Sequence, residues 1–122
     1  MKVTLSTGEV LVFSDENIDD IMTTAVFGGI GYWADVVGIK ERKYASVVQS
    51  NSDVISKGGT LFLKDAENDD KWELDKKKLS NGIKQYCETY SYNDADTLLD
   101  EMDADTADYI VQFALFNEIV FG

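Results

Sequence analysis

Carboxylates are the one abundant class of reactive side chain in this sequence. It holds 23 Asp and Glu against 11 Lys and Arg, with one cysteine and no histidine. Without histidine the usual general base is missing, along with Ser–His and Cys–His nucleophile pairs and most zinc sites. Two carboxylates can together carry out acid–base hydrolysis. Any acidic chain offers such pairs, however, and no spacing here singles one out. The run Asp94, Asp96, Asp100, Glu101, Asp103 and Asp105 invites a calcium reading. No twelve-residue frame supplies the alternating ligands, the turn glycine at the sixth place and the terminal glutamate that such a loop needs. The Asp65–Asp70 stretch fails the same test, with Lys76 where the glutamate would fall. No phosphate loop of the G-x-x-x-x-G-K type occurs. Gly29-Ile-Gly31-Tyr-Trp-Ala34 fits a loose G-x-G-x-x-A pattern, but it follows a predicted helix where a dinucleotide site requires a strand. Cys87 falls on the apolar face of a predicted helix and reads as a small buried hydrophobe. No catalytic residue, metal or cofactor is assigned, and the reading is of a protein that is not an enzyme.

What remains is charge and its distribution. Residues 1–39 carry six acids and one base, residues 40–84 eight acids and ten bases, and residues 85–122 nine acids and no base. The total is −12. Such a chain repels nucleic acid and anionic membranes at long range and attracts basic surfaces. The candidate partner-binding residues are therefore Asp15, Glu16, Asp19 and Asp20 at one end, and Asp94, Asp96, Asp100, Glu101 and Asp103 at the other. A domain of this size is roughly 35 Å wide. Duplex DNA of that length carries on the order of 20 phosphate charges. Only a concentrated face of this protein could imitate it. Solubility is the plainer explanation of net charge.

The elements that must position these residues follow from periodicity. Lys2–Ser6 and Glu9–Phe13 predict a β-hairpin around Thr7-Gly8, its second strand nearly all apolar and so expected to be buried on both faces. Ser14 or Asp15 caps an acidic helix with Ile18, Ile21, Met22, Ala25 and Val26 on one stripe. Gly28-Gly29 is expected to end it through a positive-φ stop. Asp35–Ile39 reads as a short strand, and Lys40–Lys43 as an exposed charged stretch. Asn51 or Ser52 can cap a short helix through Val54 and Ile55, stopped by Gly58-Gly59, although residues 40–58 as a whole stay open. Thr60–Lys64 and Lys71–Leu74 predict a second hairpin across a polar loop, and Asp75 caps a helix over Lys76–Tyr90. Three lysines, 76 to 78, stand at the unfavourable end of that helix's dipole, a position in which solvent and Asp75 compensate them. Residues 91–104 stay open between loop and helix. The last helix is expected to start at Asp105, with Asp108 as its capping-box partner. Apolar nearly all round, it is either central to the core or shared in a homodimer, and the core is preferred.

Tyr32 and Trp33, next to the glycine turn, read first as core packing. The alternative is an aromatic platform for a small ligand or regulatory partner, built on the Gly28–Trp33 turn. A chain of 122 residues with 44% hydrophobic content forms a single domain with a packed core. One cysteine excludes an internal disulfide, no apolar run reaches transmembrane length, and signal-peptide anatomy is missing, so the expectation is a cytoplasmic protein.

Several stretches together, DENIDDIM, GGIGYW, SKGGTLFL and ADYIVQFALFNEIVFG, resemble a group of small acidic proteins of Firmicutes, often encoded on phages and other mobile elements. The resemblance spans most of the chain and carries no activity with it. It implies a context in which small acidic proteins block host defence nucleases. The expected fold is one α+β domain over residues 1–122, with two antiparallel hairpins in one sheet packed against three or more helices. The expected function is an acidic interaction protein that occupies a basic, nucleic-acid-binding surface of a nuclease or similar protein, in the manner of a DNA mimic. Direct binding of nucleic acid or membrane is not expected.

Overall fold

The computed structural model describes residues 1–48 and 50–122. The first hairpin joins β1 (Lys2–Thr4) to β2 (Val10–Val12) through Gly8, whose φ of +97° needs a residue without a Cβ. Leu11 is buried while Val10 and Val12 are exposed, so β2 covers the core with one face only. The expectation of burial on both faces fails because this hairpin forms a sheet of its own and nothing packs on its outer side.

Helix α1 (Asp15–Thr24) begins at Ser14, whose hydroxyl accepts from the Asn17 N–H while the Asn17 side chain accepts from the Ser14 N–H. It does not stop at a positive-φ glycine. It widens into a π-helical turn, Ala25–Gly29, closed by the Ile30 N–H donating to the Ala25 carbonyl at 2.9 Å. Gly29 is there for close approach. A Cβ on it would meet the Ala104 carbonyl oxygen at 2.8 Å.

A second, three-stranded antiparallel sheet follows the order β3 (Ala34–Ile39), β4 (Leu61–Asp65), β5 (Lys71–Leu74). The five strands thus form two sheets, not the one expected. Leu61 and Leu63 face the core while Phe62 and Lys64 face outward, the period of two that a half-covered sheet requires. Between β3 and β4 lie the short helix α2 (Arg42–Ala45) and a 3₁₀ turn, Asn51–Asp53, capped by Ser50.

Helix α3 (Lys76–Tyr90) is capped by Asp75, as its spacing predicts. Helix α4 (Ala95–Asp100) and helix α5 (Ala104–Phe116) follow. Asp103 caps α5 in place of the expected Asp105. Asp108 does not close a capping box, because its carboxylate is turned inward to Tyr32 and Trp33. Helix α5 is the centre of the molecule and packs on α3, α1, the π turn and β5. Ile110, Val111, Gln112, Phe113 and Ala114 are buried in succession, as an all-round apolar helix should be. Helix α3 comes so close that a Cβ on Gly82 would lie 2.3 Å from the Ile110 carbonyl oxygen. The result is a small α+β domain with helices packed on two antiparallel sheets, and no helix among the described residues is long and apolar enough to cross a membrane.

Candidate functional site

Helix α4 presents acids to solvent because its other side is tied down. Leu98 is fully buried, and Ala95, Leu99 and Met102 pack against the core. Asp94, Asp96, Asp100, Glu101, Asp103 and Asp105 are left exposed on one ridge. Asp94 accepts from the Thr97 N–H and hydroxyl, both at 2.8 Å, and these bonds hold its carboxyl below the usual range. Asp103 accepts from the Thr106 N–H at 2.8 Å and is lowered for the same reason. The Tyr92 hydroxyl donates to Glu101, and this bond pushes the phenol up to about 12. The ion pairs among the described residues, Lys40–Glu73, Lys64–Asp69 and Lys76–Asp15, do not touch the ridge.

The other candidate acids lie elsewhere. Asp15, Glu16 and Asp20 are exposed at the start of α1, and Asp19 is half-buried, its Oδ1 without a hydrogen-bond partner among the described residues. Asp15 stands 3.8 Å from Lys76 Nζ, so this end of α1 meets the lysine-bearing start of α3. The far end of α1 leads into the π turn, where a Cβ on Gly28 would touch Ala104. At 1.5 Å per residue the two ends are about 20 Å apart. The structure therefore gathers Asp94, Asp96, Asp100, Glu101 and Asp103 on one ridge. It sets Asp15, Glu16, Asp19 and Asp20 apart, beside basic residues.

One residue next to the ridge carried no signal in the sequence. Phe27 sits on the π turn and is 71% exposed. That turn packs on Ala104, between Asp103 and Asp105. Its sequence neighbours Ala25 and Val26 belong to the buried stripe, and regular helix periodicity gives no warning that the wider turn will swing Phe27 outward.

Tyr32 and Trp33 have different fates. Trp33 is only 2% exposed. Its ring stacks on Phe121 at 4.8 Å and 7°, with Trp72 and Phe116 edge-on or tilted at 5.7 Å. Its Nε1–H donates to Asp108 Oδ1 at 2.7 Å. Tyr32 stays 57% exposed but donates its hydroxyl to Asp108 Oδ2 at 2.6 Å. Partial burial of the phenol, then the Asp108 carboxylate, push it up to about 12. Gln112 completes the network. Its Nε2 donates to Asp108 Oδ1 at 2.9 Å, and its Oε1 accepts from the N–H groups of Val120 and Phe121, each at 2.8 Å. Two polar residues four apart in an otherwise apolar helix were the signal for this network. It closes the turn over Trp33 and leaves only Tyr32 facing solvent.

Cys87 is buried, and burial pushes its thiol up to about 11, so thiolate is scarce at neutral pH. Among the described residues no three carboxylates or thiols converge to hold a metal ion. Comparison of the chain with protein-family models, curated proteins and solved structures finds no match.

Proposed function

We propose that this chain is a non-enzymatic acidic interaction protein whose α4 ridge occupies a basic, nucleic-acid-binding surface of another protein, such as a nuclease of a host defence system. The observation that carries this reading is six exposed carboxylates over residues 94–105, in a stretch from 85 to 122 that holds no base. Helix α4 and its flanks span on the order of 20 Å. One strand of B-DNA carries about six phosphates over that length. The ridge thus has the charge density of a single strand, and the short overall count of −12 is no obstacle. Phe27 supplies what a charged ridge lacks. Interfaces draw most of their energy from a few desolvated aromatic anchors, with charges at the rim giving steering and register. The resemblance to small acidic proteins of mobile elements fits a partner from host defence.

The test is affinity capture from host extract at several salt concentrations, comparing the wild-type chain with the triple variant Asp96→Asn, Asp100→Asn and Asp105→Asn. These three positions spare the caps at Asp94 and Asp103. The expected result is capture of a basic nucleic-acid-binding protein, weakening steeply with salt and lost in the variant. Capture that is indifferent to salt and to the three substitutions would remove the ridge from the account.

A further inference from the structure

We propose that the outer face of the β3–β4–β5 sheet is a second site, for a small planar anion of the nucleoside monophosphate class. In this strongly acidic chain the bases are concentrated in residues 40–84, and two of them meet on this face. Lys64 of β4 and Lys71 of β5 are direct cross-strand partners. Like charges at such positions repel and destabilise the pair. Lys64 is compensated only at long range, with Nζ 4.0 Å from Asp69, and Lys71 makes no ion pair or hydrogen bond among the described residues. An anion bridging the two ammonium groups would relieve this repulsion.

One residue along β4, the backbone opens over an aromatic ring. Phe62 faces outward, and its partner on β3 is Gly38. A Cβ on Gly38 would reach the Phe62 ring at 3.8 Å, so a longer side chain at this position would lie across the ring edge. The register of β3 slips between Val36 and Gly38, a bulge that leaves Val37 half-exposed at the side of the same hollow. A glycine inside a strand and a bulge beside it are the usual means by which a sheet lets a ligand approach. Val37, Phe62, Lys64, Asp69 and Lys71 together line a concavity of about 630 Å³. That lies within the range of small-molecule sites, about 300–1,000 Å³.

The chemistry of the lining selects the ligand. A flat ring stacks on Phe62 against Val37, and a phosphate one residue away spans Lys64 and Lys71. A polymer fits less well, because the loop after β4 brings Glu67, Asp69 and Asp70 to the rim and the whole-molecule field repels a polyanion. The site is open to solvent and shallow, so affinity is modest, with a Kd of about 0.1–1 mM.

The experiment is an NMR amide titration of the full chain with AMP, with inorganic phosphate and adenosine as separate probes. Expected are saturable shifts at Val37–Gly38, Phe62–Lys64 and Lys71 with AMP. Phosphate or adenosine alone should bind at least about fivefold more weakly. Lys71→Gln and Phe62→Ala should each weaken AMP about fivefold or more, and Asp69→Asn should tighten it. Both weakening substitutions are on the outer face, and the spectrum itself reports whether the variants are folded. No saturable shift at 10 mM AMP would overturn the proposal. So would equal response to inorganic phosphate, or binding unchanged in Lys71→Gln and Phe62→Ala.

Discussion

Replacing Asp108 by alanine tests the network that joins the π turn, α5 and the chain's last residues. The carboxylate is 3% exposed and accepts from three donors: Tyr32, Trp33 and Gln112. Without it the Trp33 Nε1–H is stranded in an aromatic cluster, and an unsatisfied buried donor costs about 1–3 kcal/mol. Gln112 retains the Phe121 carbonyl at 3.1 Å, and the exposed Tyr32 hydroxyl turns to water, so each adds less than about 1 kcal/mol. Relief from holding a buried carboxylate without a cation works the other way. The balance is a loss of about 2–3 kcal/mol, or roughly 6–15 °C in melting temperature for a domain of this size. Asp108→Asn keeps one acceptor and lets the Tyr32 hydroxyl accept in turn, for a cost nearer 1 kcal/mol. Urea unfolding followed by tryptophan fluorescence measures both. An alanine variant within about 0.5 kcal/mol of wild type would refute the reasoning, because it would show that the Trp33 donor finds another partner at no cost.

The glycines of the GGIGYW segment should separate. Gly29→Ala forces a Cβ against the Ala104 carbonyl at 2.8 Å and should cost about 1–3 kcal/mol. Gly31→Ala meets nothing within 4 Å and should be neutral or slightly stabilising in the same unfolding assay. Asp103→Ala removes the α5 cap and should cost about 1 kcal/mol at pH 7. Because the folded-state carboxyl of Asp103 is lowered, its contribution is present above the usual carboxylate pKa of about 4 and is lost as pH falls through the lowered value. The gap between variant and wild type should therefore close in acid unfolding curves. Tyr32 and Tyr92 are raised to about 12, so their contributions hold below the ordinary phenol pKa of about 10 and are lost as pH rises through the raised values. Ultraviolet titration should show two late-ionising phenols and only one in Tyr32→Phe. All six tyrosines ionising together near pH 10 would contradict both hydrogen bonds.

Both hairpins and α3 were legible because local chemistry specifies them: Thr7-Gly8 for one turn, the polar Asp65–Asp70 loop for the other, and Asp75 ahead of a stripe containing Leu79, Ile83 and Tyr86. Periodicity does not say which strands pair, so the separation of β1–β2 from β3–β4–β5 was not legible. The start of α5 was misplaced because Asp103 and Asp105 are equally good caps by type, and only the inward pull on Asp108 decides between them. At the candidate site the carboxylates could be read from composition. Their division into a free ridge and a group beside Lys76 could not, since it depends on α1 pointing its far end toward Ala104.

The π turn has a consequence for how this chain tolerates insertion and deletion. Closing Ile30 onto Ala25 accommodates one more residue per turn than an ordinary helix, which acts as a phase slip between α1 and everything after it. Deleting one residue between Val26 and Gly28 would restore a regular winding and rotate the downstream segment by about 100° relative to α1. Trp33 would then be aimed away from Asp108 and Phe121, although the composition of the helix would barely change. The length of this short segment is thus held more strictly than the identity of its exposed residues.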